Sequence, residues 1–172
     1  MKLFFKILLF SLFFTLIGCA TALKGESFKN ADTIPNGKAI VYFYWTDFPD
    51  TKTRIDYSLF ANGHKITDMK HGGVFEYIAP EGTLEFTTNV NPTFMAVGIL
   101  DAMMAPKGKL SLKVEPGHAY YVRCVSNGLS ASNYNLVMMQ VDEKRGLYEL
   151  RGSKLLPPAK DVKTVSGKIH SR

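Results

Sequence analysis

Cysteine is nearly missing from this chain: Cys19 and Cys124 are the only two in 172 residues. Long apolar runs are missing as well. The best one, Ile7 to Ile17, holds Ser11 and Thr15 and stops at Gly18, well short of the ~20 residues that span a bilayer as a helix. No phosphate-cradling P-loop and no Gly-rich dinucleotide fingerprint occurs, so nothing supports the nucleotide-binding folds built on them. No Gly-x-Ser-x-Gly elbow occurs, so an α/β-hydrolase site has no support either. His64, His71, His118 and His170 form no pair at metal-ligand spacing, although His64 and His71 flank one short strand and could approach each other. We therefore expect no catalytic residues, no metal and no cofactor.

What is present begins at the N-terminus. Lys2 and Lys6 stand before the apolar run, and Leu16-Ile17-Gly18-Cys19 closes it. A basic start, a short apolar core and a small residue before the cut form a secretory signal. The last four residues fit the bacterial lipobox, in which Cys19 receives the lipid and cleavage falls just before it. Polar sequence follows at once, which disfavours a transmembrane anchor. Residues 1–18 are the expected signal peptide, and acylated (palmitate-bearing) Cys19 is the expected membrane attachment, with more than one chain needed for stable anchoring. Ala20 is not the Asp associated with inner-membrane retention, so in a Gram-negative cell the periplasmic face of the outer membrane is the expected address. With Cys19 acylated, Cys124 has no partner for an intramolecular disulfide. It lies in phase with Tyr120 and Val122, as a small buried hydrophobe would.

Removing 18 of the 172 residues leaves 154, enough for one domain with its own core. The net charge of +6 belongs to the ends: residues 20–153 carry 14 basic and 14 acidic side chains. A nucleic-acid-binding domain needs a basic face, and a neutral body gives none. The segment 157–172, with two prolines, several lysines and few large apolar residues, reads as a basic disordered tail. Residues 19–36 read as a polar tether.

Between them the chain reads as strands. Lys38 to Trp45 is a dense β-branched and aromatic run suited to a central strand buried on both faces. Arg54 to Ala61 alternates, with Phe60 out of pattern. Asn62-Gly63 is a hairpin turn, because both positions accept positive φ. Short strands follow around Lys65 to Thr67, at Val74 to Ala79 and at Thr83 to Val90, where Leu84, Phe86 and Thr88 share a side. Leu110, Leu112 and Val114 face one way and Lys109, Ser111 and Lys113 the other. Pro116-Gly117 turns the chain into His118 to Ser126, and Leu136 to Val141 completes the set. Asp142 to Leu150 forms a short helix with Leu147 and Leu150 inward. The expected fold over residues 37–156 is all-β, a single antiparallel β-sandwich of Ig-like or transthyretin-like kind.

One segment exceeds what a sandwich needs. Residues 91–107 are apolar, Met-rich and bracketed by prolines. Phe94, Met95, Ile99, Leu100, Met103 and Met104 either form an exposed partner or membrane contact or fold back as a cap over an open end. Asp47, Asp50 and Asp56 match no calcium loop. Tyr42, Tyr44, Trp45 and Phe48 suit a stacking platform less well than a core.

The runs Gly-Lys-Ala-Ile-Val-Tyr-Phe-Tyr (37–44), Phe-Ala-Asn-Gly-His-Lys-Ile (60–66) and Gly-Gly-Val-Phe-Glu-Tyr (72–77) occur in this order. Ala-Pro-Glu-Gly-Thr-Leu-Glu-Phe (79–86) and Val-Glu-Pro-Gly-His-Ala-Tyr-Tyr-Val-Arg (114–123) follow. Over roughly residues 37–150 the chain resembles the small bacterial lipoproteins grouped as domain of unknown function 2846. That resemblance implies a β-sandwich behind a lipid anchor and brings no established catalytic residues. The expectation is a non-enzymatic protein acting through membrane, envelope or protein contacts, with a small-ligand binding module as the alternative and no role in nucleic-acid binding.

Overall fold

The computed structural model describes Leu23 and residues 25–45, 56–91, 108–127 and 135–160. Nine strands and one helix occur among them. They are β1 Lys38–Tyr44, β2 Tyr57–Ala61, β3 His64–Met69, β4 Gly73–Pro80 and β5 Gly82–Val90. Then come β6 Gly108–Val114, β7 Ala119–Asn127, β8 Asn135–Val141, α1 Glu143–Glu149 and β9 Lys154–Leu155.

Alternation within β1 decides the layering. Ala39, Val41, Phe43 and Trp45 point into one apolar cluster, and Ile40, Tyr42 and Tyr44 into another. Such a strand must be covered on both faces. β1 accordingly sits at the centre of a five-stranded sheet, in the order β8-β7-β1-β4-β9. A four-stranded sheet, β3-β2-β5-β6, packs on the face of Val41 and Phe43. Rings interlock between the sheets: Phe43 with Phe86 at 4.7 Å, and Trp45 edge-on to Tyr57 at 5.4 Å. Leu84, Phe86 and Thr88 are all buried here, as their alternation predicts. Cys124 is a buried thiol, with Val122 beside it in the core.

The chain is thus an all-β sandwich, but it is not purely antiparallel. β1 runs parallel to β7, and β4 parallel to β9. Alternation reveals which face a residue takes and says nothing of strand direction; the short turn through Pro116-Gly117 carries the chain from β6 in one sheet to β7 in the other, where β7 lies alongside β1 in the same sense.

Local signals hold closely. Asn62 (φ 48°) and Gly63 (φ 81°) both take the left-handed region that a two-residue hairpin requires. The register of β2 against β3 shifts between Leu59 and Phe60, a bulge that explains why Phe60 leaves the alternation. The expected helix is α1, capped by the Asp142 carboxylate accepting from the Arg145 N–H at 2.9 Å. Leu147 and Leu150 pack inward as expected.

Two segments expected to be free are partly docked. Within the tether 19–36, residues 25–36 lie against the five-stranded sheet. Within the tail 157–172, Pro157 O accepts from Thr67 Oγ1 at 2.7 Å and Ala159 N donates to Ile66 O at 2.8 Å. The chain therefore stays on β3 past the boundary drawn at 156/157; residues 161–172 lie outside the described set.

The strand ends flanking residues 46–55, 92–107 and 128–134 gather at one end of the sandwich. Trp45 touches Tyr57, Asn91 N donates to Asp56 O at 2.9 Å, and Tyr57 Oη lies 3.3 Å from Ser126 Oγ. Gly108 pairs with Thr88, whose Oγ1 donates to Leu136 O at 3.0 Å.

Candidate functional site: the covered outer face of the five-stranded sheet

The face of β1 turned away from the four-stranded sheet presents Ile40, Tyr42 and Tyr44, joined by Val74 from β4 and Tyr121 from β7. Tyr42 and Tyr121 stack at 5.4 Å. Left to water, this aromatic surface would be large and unfavourable. Two pieces of chain remote in sequence cover it.

The first is an N-terminal strap, residues 25–36. Its Phe28, Ala31 and Ile34 recur every three residues and pack onto the sheet. Phe28 meets Tyr42 edge-on at 5.2 Å. Ala31 N donates to Tyr42 Oη at 3.0 Å, and Tyr121 Oη donates to Asn30 Oδ1 at 3.4 Å. The strap begins by pairing antiparallel with the β9 segment: Leu155 N donates to Glu26 O at 2.8 Å and Phe28 N to Ser153 O at 2.9 Å. A Cβ on Gly25 would stand 2.6 Å from Leu155 O, so the close approach needs glycine there.

The second cover is α1. Gly146 lets it press onto Tyr121, where an added Cβ would fall 2.5 Å from the ring. Its far end carries a polar lock. Tyr44 Oη donates to Glu149 Oε2 at 2.7 Å, Arg145 Nε donates to Glu149 Oε1 at 2.9 Å, and Arg123 Nε lies 3.6 Å from Oε2. Arg123 and Glu149 are mostly buried, at 18% and 17% side-chain exposure, and Arg123 Nε makes no hydrogen bond.

The electrostatics of this layer favour holding over proton transfer. Burial pushes the Glu149 carboxyl up, but the hydrogen bonds from Arg145 and Tyr44 and the two guanidinium charges outweigh it and hold the pKa below the ordinary value. Burial drives the Tyr44 and Tyr42 phenols well above their ordinary range; the bond to charged Glu149 adds to this at Tyr44, and the Ala31 N–H opposes it at Tyr42. Both phenols keep their protons, Tyr44 donating to Glu149 and Tyr42 accepting from Ala31 N, and Glu149 remains a paired anion.

Clefts open on either side of the strap. One of about 740 Å³ lies toward β4, with Lys29, Asp32, Glu76 and Ile78 in its wall. One of about 340 Å³ lies toward β7, with Thr33, His118 and Glu143. Both are half open and polar, and both share Asn30 to Thr33 of the strap.

The residues singled out from sequence fall as follows. Cys19 and the six insert residues Phe94, Met95, Ile99, Leu100, Met103 and Met104 lie outside the described residues, as do Asp47, Asp50 and Phe48. Tyr42, Tyr44 and Trp45 are core, at 1% exposure or less, so they offer no platform for stacking. His64 and His71 stand at opposite ends of β3 and do not come together; His71 meets Trp45 edge-on at 5.8 Å. Asp56 pairs with Lys70 at 3.6 Å. Among the described residues, no three His, Cys, Asp or Glu side chains converge as metal ligands, and no helix is long and apolar enough to cross a membrane.

Reading along the chain missed the Tyr44–Arg123–Arg145–Glu149 lock. One signal was available: Arg123 interrupts the apolar run from Ala119 to Val125, in phase with Tyr121, and a mostly buried arginine there needs a carboxylate. No protein-family model and no curated protein matches this chain.

Proposed function

We propose that this chain is a lipid-anchored protein of the bacterial cell envelope, held by acylated Cys19 after loss of residues 1–18, which acts by contact and not by catalysis. The lipobox carries the anchor, and the docking of the strap supports what the anchor would do. The body already holds the chain at Leu23, which packs against the inter-sheet core four residues after Cys19. Four residues span at most ~14 Å, so an acylated Cys19 would keep the sandwich against the membrane and not on a long tether. The periplasmic face of the outer membrane is the address this reading assigns in a Gram-negative cell. The likeness to the lipoproteins of domain of unknown function 2846, and an Ig-like or transthyretin-like kinship of the sandwich, belong to the same proposal.

The contact surface we assign is the end of the sandwich from which residues 92–107 depart. Its support is that the stems of two further segments, 46–55 and 128–134, reach the same end, so several stretches of chain can share one partner. The basic tail adds attraction for anionic envelope components.

The anchor is tested by Cys19→Ala. Loss of palmitate labelling and release from the membrane fraction is the expected result; unchanged membrane retention overturns the reading. Crosslinking from intact envelopes, with and without residues 92–106, tests the contact end, and a protein partner that is lost with the deletion is expected. Partners that persist after the deletion would reassign that segment to the core.

The alternative, small-ligand binding, draws on the two polar clefts beside the strap. Saturable binding of an envelope metabolite, abolished by Glu76→Ala, would favour it.

A further inference from the structure

Two sheets have four edges, and three of them are guarded against pairing with another chain. β9 is only two residues long and is already met by the strap. β3 carries Lys65 and Asp68 and is bridged at Thr67 by Pro158. β6 exposes Lys109 and Lys113. Short strands, charges and proline are the usual means of blunting an edge.

The fourth edge has none of them. β8 is Asn-Leu-Val-Met-Met-Gln-Val, seven residues without charge, proline or glycine. It pairs with β7 on one side; β6 and β5 of the other sheet come close to it, but among the described residues no strand forms a hydrogen-bonded ladder with its second side. Among the described residues Met139 and Tyr148 are the exposed large apolar side chains, and Met139, at 42% exposure, lies in the middle of this edge. Val137 and Val141 flank it on the same face, each half-buried.

We propose that β8 is a self-association edge, at which two copies pair their β8 strands antiparallel about Met139 and join their five-stranded sheets into one. The strand is complementary to itself in this register. Met139 meets Met139 of the second copy, and Val137 meets Val141 of the second copy on both sides of the two-fold axis. On the opposite face Met138 meets Gln140. No like charges are brought together, which is the condition for a favourable cross-strand pair. The register is shifted toward the C-terminal half because Thr88 Oγ1 holds Leu136 O and turns that part of β8 toward the other sheet. An isologous contact of this kind uses up both edges and stops at two copies. The guarded edges keep it from extending.

The register gives a sharp test in the full chain, in isolated membranes or detergent. Residues directly opposite in an antiparallel pair have Cα atoms ~4.5–5.5 Å apart, within the range a disulfide bridges. Met139→Cys should therefore form an intermolecular disulfide on mild oxidation. Gln140→Cys is the control at a neighbouring exposed position, because Gln140 faces Met138 of the second copy and not itself. A dimer band roughly tenfold stronger for Met139→Cys than for Gln140→Cys or the unsubstituted chain is expected. Equal bands, no band above the unsubstituted chain, a ladder beyond the dimer, or capture of a different protein at Met139→Cys would each overturn the proposal. Met139→Lys supplies an independent arm. An exposed lysine leaves the fold intact, so sedimentation in detergent should show a monomer with an unchanged melting temperature; a persistent dimer refutes the edge.

Discussion

Gly146→Ala should destabilise this protein, although the same change in an exposed helix would stabilise it. Alanine is favoured over glycine in a helix interior by about 1 kcal/mol. Gly146 is buried in the middle of α1, and its new Cβ would stand 2.5 Å from Cγ and 2.6 Å from Cβ of Tyr121. Carbon atoms pack at ~3.5–4.0 Å, so roughly 1 Å must be found. Tyr121 has nowhere to go: it is 1% exposed, stacked on Tyr42 at 5.4 Å, and its hydroxyl holds Asn30. Overpacking a filled site costs about 1–3 kcal/mol. Lifting α1 instead would strain the bonds of Tyr44 and Arg145 to Glu149. With the overlap toward the upper end, the net loss is about 1–2 kcal/mol, or a fall of roughly 3–10 °C in melting temperature for a domain of this size. Thermal unfolding followed by circular dichroism measures it. Pairing the substitution with Tyr121→Ala should cost less than the sum of the two single changes, because the two sites touch. An unchanged or higher melting temperature for Gly146→Ala would refute the packing of α1 on Tyr121.

The lock makes stability depend on pH in a definite sense. Glu149 has its folded pKa below the unfolded value, so its contribution is present above the ordinary glutamate range and is lost as pH falls through the folded pKa. Glu149→Gln should flatten that acid limb in denaturant titrations at stepped pH; an unaltered limb would show that the ion pairs contribute nothing. Phe28→Ala removes the strap's edge-on contact with Tyr42, a pair worth about 0.5–1.5 kcal/mol beyond burial. Exchange of the Ala31 amide, which bonds Tyr42 Oη, should speed up while the amides of β1 keep their protection. Equal acceleration at both would mean that the strap does not open on its own.

Local chemistry was legible along the chain wherever one residue type answers one geometric demand. Asn62-Gly63 is a hairpin turn because both φ angles are positive, and Leu84, Phe86 and Thr88 are inside because a strand alternates. Lys38 to Tyr44 announced a strand covered on both faces, because neither of its two phases is polar. The strap was not legible, since its glycine, serine, asparagine and proline resemble a tether; three apolar residues at spacing three acquire meaning only once an aromatic face exists for them to cover. Glu149 and Tyr44 are 105 residues apart, and no local pattern reports such a contact.

By itself the sequence determined the elements, the face each residue takes and the signature before Cys19, because these depend on neighbours within a few residues. The tertiary structure alone decided that β1 and β7 run parallel, that residues 25–36 and α1 close the outer face, and that β8 ends the five-stranded sheet among the described residues. Those outcomes depend on which distant surfaces meet, and the burial of apolar area that selects among them is a property of the assembled core, not of any segment.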